Sequence, residues 1–220
     1  MTKFDFEDGN GPVPAKKHSN GGGWVADTAK VSVTAYVGPD AMVYGNAWVY
    51  GYAKVNGWAK VYGDARVTGN AKVYGNATVS GDASVFDDAE VFDDAKVSGY
   101  AKAFGNAKVY GDAKVYGNAW VYGYAKVYGN AWVYGNALVS GNALVYGDAC
   151  VYGNALVYED AWVSGYAWVF GNARVYGNAW VFVDARVYGD AKVSGEESKV
   201  EIKKDRIFIN GKWYEEVKDD

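Results

Sequence analysis

Between Ala29 and Gly195 alanine recurs every sixth residue, and valine follows two places later. Ala47-Trp48-Val49-Tyr50-Gly51 gives way to Ala53-Lys54-Val55-Asn56-Gly57, and the phase runs through twenty-eight hexads without an insertion. The valine position breaks once, at Ala103. Side chains alternate sides along a strand. In Ala-x-Val-x-Gly-Asn the invariably apolar pair therefore faces in, and the variable pair faces out. Gly-Asn or Gly-Asp then makes a corner, because these residues tolerate positive φ. The pattern predicts a strand of about four residues followed by a two-residue corner. That is too short for a strand–helix unit. A helix is excluded, since a period of six does not match the helical turn and glycine recurs too often. Hairpin strands would differ in sequence, whereas equivalent hexads suit equivalent sides of a prism. The expected fold is an all-β, parallel β-helix.

This pattern resembles the hexapeptide-repeat family of β-helices, in which an inward aliphatic residue follows a small residue by two places. The resemblance implies a left-handed, triangular solenoid with three hexads per coil, hence about nine coils. At ~4.8 Å between strands the prism is roughly 45 Å long. The long uninterrupted run is similar to hexapeptide-repeat proteins of bacteriophages and bacteria. The leader, Gly11-Pro12-Val13-Pro14 through Gly21-Gly22-Gly23-Trp24-Val25, is similar to phage sequences of that type.

Three segments follow: a leader (1–23), the β-helix (24–195) and a tail (196–220). In the leader Phe4 and Phe6 alternate with charges, as in a short half-buried strand. We read it as a cap, with a flexible tail as the alternative. The C-terminal segment alternates at Val200-Glu201-Ile202-Lys203, turns at Lys204-Asp205, and carries a hairpin signal at Asn210-Gly211. It reads as a small antiparallel meander that caps the open end of the solenoid, or as an oligomerisation element.

Three hexads per coil stack residues eighteen apart. One outward column then reads Tyr36, Lys54, Lys72, Glu90, Lys108, Lys126, Leu144, Trp162, Trp180, beside Gly38, Asn56, Tyr74, Phe92, Tyr110, Tyr128, Tyr146, Ser164, Phe182. The second of these is an aromatic ladder flanked by lysines. It stabilises the sheet by stacking, or it offers a strip for a ring-bearing anion. The candidate ligand-binding residues are Lys72, Tyr74, Phe92, Lys108, Tyr110, Lys126 and Tyr128. The first outward position also changes along the chain. Before residue 115 it is mostly Lys, Arg, Ser or Thr; later it becomes Trp132, Leu138, Leu144, Cys150, Leu156, Trp162, Trp168 and Trp180. Apolar residues facing solvent mark an interface. They predict a homo-oligomer built through the C-terminal half, and the resemblance makes a parallel trimer the first expectation.

Composition narrows the chemistry. With 22 basic and 26 acidic residues the formal net charge is −4, which disfavours a global nucleic-acid binder. A lone Cys150 excludes an internal disulfide framework. Neither a signal-peptide core nor an apolar run long enough to span a bilayer is visible, so the expected location is the cytoplasm, that of the host if the chain is phage-encoded. Enzymes of the resembled family use histidine as a catalytic base or a zinc ligand, yet the repeat holds none and the sole histidine is His18 in the leader. The inserted loops that build an acyl-donor site in the family's acyltransferases are lacking too. No cofactor, no metal and no catalytic residue is expected. Asp87-Asp88 and Asp93-Asp94 read as solvated corners, and the corner columns as Asn/Asp hydrogen-bond ladders. The functional expectation is a non-catalytic structural or interaction solenoid. The alternatives are a phage-type protein that sequesters a small anionic ligand, such as a nucleotide immune signal, between subunits, and an atypical acyltransferase.

Overall fold

The computed structural model describes residues 2–194 and, beyond them, the strands Lys199–Lys203, Arg206–Ile209 and Lys212–Glu215. The hexads form a parallel β-solenoid with three faces, and no helix occurs among the described residues. Each strand pairs with the strand one coil away in a register of eighteen: Lys72 opposes Lys54 and Glu90, and Ser84 opposes Arg66 and Lys102. We name the faces after one central residue each. The Lys72 face runs from Tyr36–Val37 to Trp180–Val181, the Lys96 face from Met42–Val43 to Arg186–Val187, and the Ser84 face from Lys30–Val31 to Lys192–Val193.

Each hexad strand is only two residues long, the first outward residue and the valine, rather than the four expected. The backbone pattern explains the difference. In each coil the two outward residues and the second corner residue donate upward to the coil above. Trp120 N–H reaches Ala137 O at 2.9 Å, Tyr122 reaches Val139 O at 3.0 Å, and Tyr124 reaches Gly141 O at 2.8 Å. The ladder thus continues through the corner, where the chain already bends. At the corner the first residue has positive φ and the second does not. Gly117 shows why glycine recurs there. Its φ is +69°, and a Cβ on it would lie 3.0 Å from the nitrogen of Gly135 in the next coil.

The inward pair makes one continuous core. From Ala35 to Ala185 every hexad alanine is fully buried, and so is every residue at the valine position from Val37 to Val181. Burying a valine side chain contributes roughly 1.5–3 kcal/mol. Small alanine beside branched valine lets three sheets meet across a narrow interior without a gap for water.

The leader is folded. Strand β1 (Lys3–Phe4) pairs antiparallel with β2 (Val13–Lys17), which pairs antiparallel with β3 (Trp24–Ala26); β3 then stacks parallel under Met42–Val43. Phe4 stacks on Trp24 at 4.3 Å. Phe6 is 1% exposed and stacks on Tyr44 at 4.9 Å, which stacks on Tyr62 at 4.8 Å. The leader therefore closes the first coil and adds a ring beneath the aromatic column of the Lys96 face. Burial and the neighbouring Tyr62 push the Tyr44 phenol up to about 12. At the other end Lys199–Lys203 continues the Lys72 face in parallel with Trp180–Val181, and the next two strands follow antiparallel. The meander expected there is present as strands; the expected turns at Lys204-Asp205 and Asn210-Gly211 lie outside the described residues.

Candidate functional site

With the interior closed, the chemistry of the solenoid lies on its outer faces. The ladder on the Lys72 face forms as the column predicts. Tyr74, Phe92, Tyr110, Tyr128 and Tyr146 stack with ring centroids 4.7–5.0 Å apart and planes within 4° of parallel. Strand spacing sets that distance, which exceeds the thickness of a ring, so the rings are offset as aromatic quadrupoles prefer. The phenols of Tyr74, Tyr110 and Tyr128 are pushed up, first by desolvation within the stack.

The lysines beside this ladder are largely engaged. Glu90 lies between Lys72 and Lys108 in the column and pairs with both, at 2.9 and 3.1 Å. The Tyr74 hydroxyl lies 3.5 Å from the same carboxylate. The hydrogen bond from Lys72 holds the Glu90 carboxyl below the usual glutamate range, desolvation opposes it, and Lys108 reinforces Lys72. Lys126 makes no ion pair with the described residues. The candidate residues Lys72, Tyr74, Phe92, Lys108, Tyr110, Lys126 and Tyr128 thus share one face, as a filled aromatic ladder with an internal carboxylate.

The other two faces also carry ladders, which were not singled out from the sequence although the same column rule displays them. Tyr116, Tyr134, Tyr152, Phe170 and Tyr188 stack on the Lys96 face at 4.9–5.4 Å. Phe86, Phe104 and Tyr122 stack on the Ser84 face at 4.7 and 4.9 Å, and Tyr158 stacks on Tyr176 at 5.1 Å. Desolvation and the flanking Tyr116 and Tyr152 push Tyr134 up to about 12. Stacked rings are therefore a device of the whole solenoid.

The apolar first-position residues encircle the C-terminal half. Leu144, Trp162 and Trp180 lie on the Lys72 face, Trp132, Cys150 and Trp168 on the Lys96 face, and Trp120, Leu138 and Leu156 on the Ser84 face. Trp120, Trp132, Trp168 and Trp180 are each about 40% exposed. Trp162 stacks on Trp180 at 4.9 Å. Cations border the belt: Lys102 lies 4.6 Å from the Trp120 ring, Lys114 4.5 Å from Trp132, and Arg186 5.1 Å from Trp168. Burial, then Asp148, push the half-buried Cys150 thiol up, which keeps it protonated and apolar in character.

The corner columns are hydrogen-bond ladders, as expected. Asn118 donates to Asn136, Asn136 to Asn154, Asn154 to Asn172 and Asn172 to Asp190, at 3.0–3.1 Å. Asp87 and Asp93 occupy first corner positions with φ near +60° and accept the N–H of Gly105 and Gly111 in the next coil, both at 3.2 Å. Glu159 does the same for Gly177 at 2.7 Å. These acids act on the backbone, and no group of three or more His, Cys, Asp or Glu capable of holding a metal occurs among the described residues. His18 is 8% exposed, and its Nδ1 lies 3.1 Å from Asn20 O inside the leader's turn.

A repeat-family profile described as YdcK Beta solenoid repeat matches residues 71–87, 125–141, 133–147, 149–165 and 167–181. No curated protein matches the chain. Among solved structures, an Arabidopsis UDP-N-acetylglucosamine acyltransferase is similar over 76% of this chain and 72% of its own, at 14% identity and a TM-score of 0.34. The chain is a β-solenoid repeat protein.

Proposed function

We propose that this solenoid is a non-catalytic interaction scaffold that self-associates side by side through the belt of its C-terminal half, as a trimer of parallel prisms. The observation that carries the reading is the belt itself: large apolar side chains at solvent-facing positions on consecutive coils of all three faces. In a ring of three, each subunit meets its neighbours through two different surfaces. Apolar strips on more than one face supply such a pair. The non-catalytic part of the reading draws on the uninterrupted stack, whose outward residues are held in ladders and corner bonds.

Sedimentation at micromolar concentration tests it. The expected species has three times the 23.8 kDa mass of the chain, and a monodisperse monomer overturns the proposal. Lysine stands at the same position of many N-terminal hexads, so replacing belt residues by lysine preserves the strand pattern. Leu144→Lys with Trp162→Lys on one face, Trp132→Lys with Trp168→Lys on another, and Leu138→Lys with Leu156→Lys on the third should identify the contacting faces. A pair at the centre of a contact should weaken association at least about 30-fold. In a ring, two of the three pairs should do so.

A further inference from the structure

Each aromatic ladder breaks where a hexad carries a small residue at its second outward position. On the Ser84 face one break falls at Thr68, between Tyr50 in the coil below and Phe86 in the coil above. Rings one coil apart stack at 4.7–5.4 Å elsewhere. The rings on either side of a one-residue break such as this are two coils apart, roughly 9.6 Å by strand spacing. That interval has room for one further ring, stacked on both neighbours as every inner rung of a ladder is. Phe86 stacks on Phe104 with its other face, and Tyr50 meets only Trp48, at 5.7 Å and a tilt of 54°. Their faces toward Thr68 have no ring partner among the described residues.

A second feature adjoins the gap. One coil up, at the first outward position, the small Ser84 is paired on one side with Arg66 and on the other with Lys102. Both cations lean away from it: Arg66 lies 5.5 Å from the Trp48 ring and Lys102 4.6 Å from the Trp120 ring. Neither the Thr68 nor the Ser84 hydroxyl bonds to a described residue. The two gaps join into one groove of about 470 Å³. Two residues along a strand and one coil up separate its ends by roughly 8 Å.

We propose that this notch binds a small aromatic anion, with its ring inserted as the missing rung between Tyr50 and Phe86 and its anionic group on Ser84 between Arg66 and Lys102. The ligand class is a planar ring carrying a phosphate or carboxylate about 8 Å from the ring centre, a spacing that a nucleoside monophosphate meets. An exposed cation–π contact is weaker than a charge-assisted hydrogen bond, so the anion draws both cations off their indoles. The other breaks of a single rung lack this combination. The groove at Ser164, about 310 Å³ between Tyr146 and Phe182, has no cation in its lining. The break at Ser140 is closed, with the serine 9% exposed. Along Tyr74–Tyr146 every rung is filled and Glu90 already holds Lys72 and Lys108. The site lies outside the C-terminal belt and stands independently of self-association.

Calorimetry on the full chain with AMP, adenosine and inorganic phosphate tests the inference. AMP should bind at least about tenfold more tightly than adenosine, with a change in tryptophan fluorescence as Arg66 leaves Trp48. Thr68→Tyr supplies the missing rung with a residue that occupies this position in many hexads, so it should fold and abolish binding. Arg66→Gln with Lys102→Gln should reduce AMP affinity to that of adenosine. Ser164→Tyr should leave AMP binding unchanged. No saturable binding at millimolar AMP, equal affinity for AMP and adenosine, or undiminished binding by the folded Thr68→Tyr variant each overturns the proposal.

Discussion

The two halves of the prism share one interior and wear different exteriors. The buried alanine and valine of the coil at Lys72 recur unchanged at Trp162, five coils on. Outside, the N-terminal half is mostly polar at the first outward position, with Tyr36, Met42 and Trp48 as exceptions near its start, and the ion pairs of the described residues all lie within it: Lys60 with Glu7, and Lys72 and Lys108 with Glu90. The C-terminal half places tryptophan and leucine at the same positions, with Lys102 and Lys114 on the indoles at the border. The strand geometry is the same under both. The difference teaches that the inward pair and the corner specify the solenoid, whereas the outward pair is free to be written for contact with other molecules. A lysine and a tryptophan serve equally in the stack because neither enters the core.

The sharpest way to break that comparison is to charge the interior of each half in turn. Val73 and Val145 lie on the same face, four coils apart, and both are fully buried. Val73→Asp and Val145→Asp each leave a carboxylate without a partner in an apolar column, and each should cost about 4 kcal/mol or more. In a solenoid each coil rests on its neighbours, so the damage should spread along the stack. Thermal unfolding followed by circular dichroism should show losses of similar size. A loss confined to one half would show that the two interiors differ after all.

Legibility followed the period. The register of eighteen, the inward pair, the corner ladders and the Tyr74–Tyr146 stack all repeat, and so all appear in the sequence once residues are set in columns. The pairing of Glu90 with Lys72 and Lys108 is present in the same column as an acid between two bases, although the column pattern alone does not say that the lysines spend their charge there. The gaps at Thr68 and Ser84 likewise lay in view as small residues in large-residue columns; a column drawn for its rings hides its vacancies. The leader was less legible because it has no period. Nothing in the spacing of Phe6 and Tyr44 marks them as stacked rings, and β2 contains Pro14, which lacks the N–H a central strand needs. Alternation overstates strand length because it counts residues that point in or out, while pairing counts hydrogen bonds, and the corner shares those.

A smaller test concerns the charges that only the N-terminal half carries. Glu90→Gln should remove both ion pairs and cost about 0.5–1 kcal/mol, since its lysine partners are half-exposed. The sign of the pH effect follows from the depressed carboxyl. Glu90 binds its proton less readily in the folded chain than in the unfolded one, so its contribution is fully present above the ordinary glutamate pKa of about 4.3 and is lost as pH falls through the lower folded value. The variant and the parent should therefore differ in melting temperature at neutral pH and converge in acid below that range. A difference that persists unchanged into strong acid would mean that Glu90 acts through packing.

The smallest expected effect sits at a corner where the C-terminal half departs from the rule. Val183 holds φ at +62° and is 43% exposed. A branched residue there meets its own backbone, at a cost of roughly 1–2 kcal/mol. Asp87 stands in the same conformation in the N-terminal half, but its carboxylate accepts the N–H of Gly105 and offsets the strain. Val183 has no group to do likewise. Val183→Gly should relieve the strain and give back roughly 0.5–1 kcal/mol through the entropy of glycine, for a net gain of about 0.5 kcal/mol and a rise of one or two degrees in melting temperature at roughly 2–4 °C per kcal/mol. Asp87→Gly relieves similar strain but forfeits a hydrogen bond worth about 1 kcal/mol, so its melting temperature should stay where it is or fall. Equal gains at both corners would show that the carboxylate contributes nothing, and that acids at these positions are tolerated for some reason other than the amide above them.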